Sequence, residues 1–539
     1  MHATLLLWAS LVLVILFLVM FARKIHVSYP IVLVIGGLLL GFVKGLPEIT
    51  IDPELIFVIF LPPLLYEAAW QTSWKDFWKW RRVIMSFAFI IVIFTAGAVG
   101  LLAYQLIPGF TLALGFLLGG IVSPPDAVSA SSILKTVKVP RRMISILEGE
   151  SLLNDAASLI IFKFALDAVK TGEFVWQEAI VSFFVVIIFG VLIGLAIALI
   201  FYAIHRWMPT TPQVDIVLTF VAPYLMYIVA EHFHTSGVLA VVSGGLFLAT
   251  RRHQFLDYRS RIQGVNVWET IGFVLNGVVF MLIGLEMPFI VKQLGDTSIG
   301  DAIVYGLIIS LALIVFRMLS TLGASVFTVF ISRYITTADS KPGWRGPVLF
   351  GWTGMRGVVS LAAALSIPLL LPNNDAFPQR SLIIFITFVV ILVTLVVQGL
   401  TLPSLVRWLK MEERDYTLST EQQEIIVQKK MAHVALKRLK EEHAEDIAKN
   451  ELLQNLEKQL SMDTRLLGEL QEVCEEGNTA HTLYCNFQEV YLGLINEQRQ
   501  LLLHLNRKAE FEEHIIRKFQ TLLDIEEEKL DLTFSDNEE

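Results

Sequence analysis

Long apolar segments recur along most of this chain and leave few folds open to it. About thirteen of them lie between residues 3 and 408. Their approximate limits are 3–22, 29–45, 53–70, 83–106, 110–136, 143–169, 177–204, 214–231, 236–250, 267–289, 299–332, 345–371 and 381–408. A helix satisfies its backbone hydrogen bonds internally, and about 20 apolar residues of helix cross a bilayer. The sequence therefore predicts an all-α polytopic membrane protein with about thirteen transmembrane helices.

The composition excludes a soluble protein. Of the 539 residues, 55% are hydrophobic and 17% are charged, and the mean hydropathy is +0.64. A globular protein of this length could not hide so much apolar surface from water. The first segment is followed by Arg23 and Lys24 and has no Lys or Arg before it. We interpret it as a retained transmembrane helix, because a signal peptide carries its basic residues on the amino-terminal side.

The composition of the chain changes from mainly apolar to mainly charged and polar near residue 410. Residues 411–539 contain 15 Lys and Arg against 29 Asp and Glu, while the whole chain has a net charge of −8. Apolar residues in this part recur every three or four positions, which is typical of amphipathic helices. We predict a transmembrane domain over 1–410 and a helical, cytosolic, regulatory tail over 411–539; the alternative is a solvated, partly disordered tail. The acidic balance argues against a nucleic-acid partner.

Basic residues orient the segments. They concentrate after the odd-numbered ones, as with Arg23 and Lys24, Arg81 and Arg82, Arg141 and Arg142, Arg251 and Arg252, and Arg407 and Lys410. Cytoplasmic loops carry an excess of Lys and Arg, so the N-terminus is expected outside and the C-terminus in the cytoplasm. We expect a multi-pass protein of the plasma membrane, which in a bacterium is the inner membrane.

Two of the apolar segments are interrupted. Segment 110–136 contains Gly119-Gly120 and Pro124-Pro125, and segment 345–371 contains GWTGMRGVVS. Pro removes a backbone donor and Gly weakens a helix, and non-helical backbone at membrane depth survives only inside protein or beside a water-filled cavity. The two segments are seven apart and so cross the bilayer in opposite directions, as expected for inverted-topology repeats with crossed broken helices. Ordinary kinks are the alternative.

Two carboxylates lie at the depth of these interruptions. Helical rise from Thr111 and Met143 puts Asp126 and Asp155 roughly 18 to 22 Å into their segments, near the middle of a hydrocarbon core of about 30 Å. A charged carboxylate is costly there, so each is expected to bind a cation or a proton. Ser151 lies four residues before Asp155 and shares its helix face. Hard cations prefer such oxygen ligands, so we predict a Na⁺ site at Asp155 and Asp126 with Ser151 and carbonyls near Ser123.

Four more charged residues inside the spans have predicted functions. Arg317 and Arg356 lie deep in their segments, where a lone cation is costly. Glu150 is the expected partner of Arg317, and Arg356 is expected to compensate the helix ends of the broken spans. Glu67, after FLPPLLY, is a candidate gate residue facing the cavity, or else a carboxylate near the cytosolic interface.

The sequence carries no Walker A, HExxH or GxSxG motif in a suitable context. We therefore expect a secondary transporter, not an enzyme, with no cofactor. A cation channel or an ion-gated membrane sensor with the tail as its output domain is the second hypothesis. A proton-coupled carrier of an organic solute is the third.

Four motifs resemble the monovalent cation:proton antiporters of the sodium/proton exchanger and NhaP type. They are FLPPLLYEAA, SPPDAVSA, GESLLNDA and GWTGMRGVVSLAAALSIP, and the resemblance covers roughly residues 1–410. The family's ion-binding aspartate falls on Asp155, with Asp126, Ser151 and Asn154 around it, and its core Glu–Arg pair falls on Glu150 and Arg317. Many members have Thr-Asp-Pro or Val-Asp-Pro where this chain has Pro124-Pro125-Asp126-Ala127, so Ser123 stands in place of a threonine ligand.

The resemblance implies a particular architecture and mechanism. It implies a core domain (spans about 83–169 and 299–408), a dimerisation domain (about 1–70 and 177–289), and elevator-like alternating access in a homodimer. The implied substrates are H⁺ and Na⁺, with K⁺ or Li⁺ as alternatives. Asn before Asp resembles the electroneutral branch of the family. The tail resembles that of long bacterial members.

Overall fold

The structure of this chain is a computed structural model. It describes residues 2–43, 53–134, 137, 139–172, 176–292, 294, 298–334, 343–411, 420–475, 481–505 and 513–534. Apart from one isolated bridge between Leu370 and Ala376, the regular structure in these ranges is helical. The chain forms two compact units, Met1–Glu413 and Arg414–Glu539.

The first unit contains sixteen helices in its described residues. They are α1 (His2–Lys24), α2 (Tyr29–Gly41), α3 (Pro53–Gln71), α4 (Trp74–Leu106), α5 (Leu112–Val122), α6 (Ala127–Leu134), α7 (Arg141–Thr171), α8 (Trp176–Trp207), α9 (Pro212–His232), α10 (Gly237–Phe255), α11 (Tyr258–Leu285), α12 (Met287–Lys292), α13 (Ile299–Ile331), α14 (Arg345–Trp352), α15 (Val358–Leu365) and α16 (Arg380–Leu409).

Each of the thirteen predicted apolar segments overlaps at least one of these helices in its described residues, and the all-α polytopic fold is confirmed. Among the described residues, six continuous helices are long and apolar enough to cross a membrane. They are Trp74–Leu106, Ile180–Trp207, Pro212–His232, Tyr258–Lys292, Ile299–Phe330 and Arg380–Leu409. The number thirteen stays a prediction.

Burial separates outer from inner helices. Only 17% of the most apolar stretch of Ile180–Trp207 is buried inside the protein, against 78% for Arg380–Leu409. An apolar helix that leaves most of its surface uncovered is stable only in lipid, so α8 lies at the periphery. The interior helix α16 packs Phe385 and Phe388, both fully buried, into the centre of the unit.

A buried network of polar side chains links three helices of this unit. His205 Nδ1 on α8 lies 2.8 Å from Asp215 Oδ1 on α9, and Ser260 Oγ on α11 donates to Asp215 Oδ2 at 2.8 Å. All three side chains are buried, and the ring of Phe255 packs on that of His205 at 5.0 Å between centroids. These bonds hold the start of α11, the helix that forms one wall of the cavity described below.

The second unit is helical, as the sequence predicted. Its helices are α17 (Thr420–Glu442), α18 (Ala444–Lys449), α19 (Glu451–Glu475), α20 (His481–Leu505) and α21 (Glu513–Phe534). α17 packs on α19, and α20 packs on α21. Arg499 on α20 donates to Asp524 on α21 at 2.6 Å and also pairs with Glu527, beside a small core of Ile495 and Leu530. The cytosolic location and regulatory role of this unit stay predictions.

Candidate ion-binding cavity

The two interrupted segments break where the sequence places their helix breakers, and the breaks touch. α5 ends at Val122 and α6 begins at Ala127, while α14 ends at Trp352 and α15 begins at Val358. The backbone N–H of Asp126 donates to the carbonyl of Met355 at 2.7 Å. The backbone groups freed by one break thus bond to the other, which satisfies polar groups that lipid could not.

Arg356 compensates the carboxyl end of α5. Its Nε donates to Val122 O at 2.7 Å, its Nη2 donates to Ser123 O at 3.0 Å, and its Nη1 donates to Gly354 O. The side chain is 1% exposed. A helix ends in a partial negative charge on its last carbonyls, so a buried guanidinium there is held by the backbone without a carboxylate.

Glu150 and Arg317 form a buried bidentate pair. Arg317 Nη1 lies 2.9 Å from Glu150 Oε1, and Nη2 donates to Oε2 at 2.9 Å. Arg317 Nε donates to Phe350 O in α14 at 3.1 Å, so the pair joins α7, α13 and α14. Both residues are 1% exposed. Their charges cancel inside the core, and neither is available to a cation in the cavity.

Asp126 lies at the amino ends of two short helices. Its Oδ1 accepts from the N–H of Val128 at 3.0 Å and its Oδ2 accepts from Ser129 Oγ at 2.7 Å, so it caps α6. A Cβ on Gly357, the residue before α15, would lie 2.2 Å from Asp126 Oδ2. A side chain at 357 would therefore displace the Asp126 carboxylate. The positive ends of α6 and α15 both stabilise the charge of Asp126.

Two residues of α7 fasten this helix to the break in the fifth segment. Asn154 Nδ2 donates to Pro125 O at 2.8 Å, and Ser158 Oγ donates to Gly120 O at 2.7 Å. Both are buried. Asn154 thus holds Asp155, its chain neighbour, at a set distance from the crossing.

Asp155 differs from the other buried charges. Its side chain is 8% exposed, and no group in the described part of the chain donates a hydrogen bond to it or pairs with it. Its main electrostatic neighbour is the like-charged Asp126. A carboxylate in this position needs a proton or a cation to neutralise it.

Asp155 lines a cavity of ≈ 630 Å³. Asp126 and Ser151 also line it, and α3 and α11 contribute Glu67, Gly272 and Asn276 to the lining. Glu67 Oε1 accepts from Gln71 Nε2 at 3.2 Å. A Cβ on Gly272 would lie 1.8 Å from Glu67 Oε2, so the glycine makes room for this carboxylate. Asp155 and Asp126 with the Ser151 hydroxyl offer oxygen atoms suited to a hard monovalent cation.

The structure brings most, not all, of the predicted ion-binding residues to this cavity. Asp155, Asp126, Ser151 and the candidate gate Glu67 line it, whereas Asn154 and Ser123 lie behind it. Ser123 Oγ donates to Gly120 O at 3.2 Å, and its carbonyl accepts from Arg356. The geometry thus gives Ser123 and Asn154 a bracing function, and ion binding by them stays a prediction.

The sequence reasoning missed several polar residues near the crossing, among them Ser129, Ser360 and Thr394. Ser360 on α15 lines the cavity. Thr394, at the start of a π-helical turn in α16, accepts from the backbone N–H of Arg356 at 3.1 Å through its Oγ1. Ser360 follows Gly357 by three residues and therefore shares its helix face, which is the signal that could have found it.

Two broken helices that touch, a buried ion pair, and a cavity-lining Asp155 without a partner in the described residues are features expected of a secondary ion transporter. The chain belongs to the transmembrane sodium/hydrogen exchanger family, whose sequence profile matches residues 10–408. The resemblance inferred from the four motifs is thereby confirmed.

Similar proteins support this assignment. The Escherichia coli protein named uncharacterized Na⁺/H⁺ exchanger YjcE is 31% identical over 512 residues, which is 91% of this chain and 92% of that protein. The sodium, potassium, lithium and rubidium/H⁺ antiporter of Bacillus pumilus is 34% identical over 76% of this chain and 62% of its own length. The solved structure of the sodium proton antiporter MjNhaP1 of Methanocaldococcus jannaschii matches this chain with a TM-score of 0.61 at 17% identity. The match covers 76% of this chain and 99% of the MjNhaP1 chain, which shows a common fold.

Proposed function

We propose that this chain is an antiporter that exchanges a monovalent cation for H⁺, with both ions competing for Asp155. The observation that carries the proposal is that the Asp155 carboxylate lines the cavity and has no hydrogen-bond or ion-pair partner in the described part of the chain. Glu150 is paired with Arg317 and Asp126 lies between two helix amino ends. Only a species from the cavity is left to neutralise Asp155, and binding one such species excludes the other.

Na⁺ is the first candidate for the cation, with K⁺ and Li⁺ as alternatives. The oxygen ligands on the cavity wall suit any of the three, and the named relatives include a Na⁺/H⁺ exchanger and an antiporter of several alkali cations. One cation displaces one proton from one carboxylate, because the neighbouring Asn154 is uncharged. The exchange is therefore electroneutral.

Alternating access is proposed to proceed by an elevator motion of the core. Polar bonds fasten α7 to the crossing, and the Glu150–Arg317 pair fastens α7 to α13 and α14. These helices are proposed to move as one body past α3 and α11. The protein acts as a homodimer in a bacterial inner membrane, with its N-terminus outside and its C-terminal unit in the cytoplasm, where it regulates exchange.

The test is proton flux in proteoliposomes of the purified full chain, with Na⁺, Li⁺ and K⁺ added in turn. An antiporter acidifies or alkalinises the lumen only when a cation gradient is present, and an electroneutral one does so without a membrane potential. Currents far above transporter turnover would support the cation-channel hypothesis. No cation-dependent flux from correctly inserted protein contradicts the proposal.

A further inference from the structure

Ser360 carries a hydroxyl that the fold leaves without a hydrogen-bond partner in the described part of the chain. The residue is 2% exposed and lines the cavity with Asp155. Serines inside helices usually donate to the carbonyl three or four residues earlier, and Ser310 and Ser366 of this chain do so at 2.6 and 2.8 Å.

Ser360 makes no such bond and lies in the first turn of α15. The helix begins at Val358, so the carbonyls three and four residues before Ser360 belong to Gly357 and Arg356 in the break. Neither carbonyl accepts a hydrogen bond from Ser360 Oγ, so the hydroxyl has no acceptor behind it. A buried hydroxyl without a partner is unfavourable unless a ligand supplies one.

The position of Ser360 relates it to the carboxylates. Gly357 and Ser360 are three residues apart, so they share one face of α15. The Cβ position of Gly357 on that face lies 2.2 Å from Asp126 Oδ2. Asp126 in turn interacts electrostatically with Asp155. The unpartnered hydroxyl therefore belongs to the helix face that meets Asp126, and it lines the same cavity as Asp155.

We propose that Ser360 is a ligand of the transported cation, contributed by the second broken helix, and that it helps to set the choice among alkali cations. The inference rests on the proposed antiport function. A hydroxyl oxygen is a neutral, hard ligand whose charge does not change with pH. It adds to cation affinity without adding to proton affinity, and its contribution depends on the radius of the ion. Ligand number and site rigidity are the properties by which oxygen sites discriminate between hard cations.

The experiment compares Ser360→Ala with wild type in proteoliposomes at one fixed pH, with Na⁺, Li⁺ and K⁺ as substrates. Loss of one oxygen ligand is expected to raise the apparent KM of the preferred cation about five- to tenfold and to change the order of KM among the three ions. The maximal rate should stay within about twofold, because the titrating group Asp155 is unchanged. Cation binding to detergent-solubilised protein, measured by calorimetry, should weaken by the same factor without any turnover.

Two further variants make the comparison specific. Ser366→Ala is the matched control: its hydroxyl already donates to Ala363 O on the same helix, and its KM values should equal those of wild type. Ser360→Cys is slightly larger and offers a soft sulfur, a poor ligand for hard cations. It should reproduce the KM change of Ser360→Ala even if that variant inserts poorly.

The outcomes separate this inference from the proposed function. If wild type shows no cation-dependent proton flux, the antiport function itself fails. If wild type exchanges ions and both Ser360 variants retain its KM values and its cation order, the inference is wrong and the hydroxyl only contacts cavity water. A rise in KM that is equal for the three cations would retain Ser360 as a ligand and overturn its contribution to ion choice.

Discussion

The Glu150–Arg317 pair gives the sharpest stability prediction. Replacing Glu150 by Gln or Arg317 by Met leaves the partner charged at a position that is 1% exposed. Breaking a buried pair from one side typically costs about 3–5 kcal/mol. Arg317 also donates to Phe350 O, so Arg317→Met should cost roughly 1 kcal/mol more than Glu150→Gln.

The double variant tests whether the two side chains interact. With both charges removed, no unpaired ion remains, and the loss should be smaller than the sum of the single losses by about 1–3 kcal/mol. The assay is the free energy of unfolding of the purified protein in mixed micelles, measured by titration with a denaturing detergent. Strict additivity of the two single losses would refute the pair as an energetic unit.

The chain offers a control pair for the same assay. Lys163 Nζ on α7 lies 2.8 Å from Glu231 Oε2 on α9, but their side chains are 48% and 34% exposed. An exposed pair is screened by solvent and is typically worth about 0–1 kcal/mol. Lys163→Met should therefore have a much smaller effect than Arg317→Met, although the two pairs have similar distances.

Three further predictions concern transport. Asp126→Asn still caps α6 but removes a negative charge beside Asp155. Asp155 should then lose its proton more readily, and the flux–pH profile should shift toward acid. An alkaline shift would contradict the proximity of the two groups. The second prediction uses Lys163→Cys with Glu231→Cys in a chain whose two native cysteines are replaced. If α7 moves past α9, a short reducible crosslink between the two thiols should stop exchange, and reduction should restore it. Undiminished flux in the crosslinked protein would refute the elevator motion. Truncation after Lys410 should leave exchange intact and change its pH dependence, because the cavity residues all precede that point; an identical profile would remove the regulatory role of the tail.

The main features of the crossing were accessible from sequence because they follow from strong local rules. Pro124-Pro125 disfavours a helix, although the same pair at Pro62-Pro63 lies inside α3. Buried Arg317 and Glu150 need neutralising partners, so their pairing is predictable. The same reasoning indicated Asp155, since a carboxylate at that depth has few alternatives to ion binding.

The finer placement of side chains depends on contacts between distant segments. Asn154 donates to Pro125, 29 residues away, and so braces the crossing instead of lining the cavity. Ser123 lies behind the cavity because Arg356, more than 200 positions later, holds its carbonyl. The unpartnered hydroxyl of Ser360 lies in the first turn of α15, and sequence patterns place the start of a helix only approximately.

Competition between the two ions at Asp155 is the central claim, and the apparent KM for Na⁺ as a function of pH tests it most directly. The measurement uses initial rates of proton flux in proteoliposomes from about pH 5.5 to pH 9, with Asp155→Asn as the inactive reference. If H⁺ and Na⁺ share this carboxylate, the KM should rise as the pH falls and approach about a tenfold increase per pH unit at the acid end, with the maximal rate limited by proton supply at the alkaline end. A KM for Na⁺ that stays constant across this range, or near-normal exchange by correctly inserted Asp155→Asn, would contradict the claim.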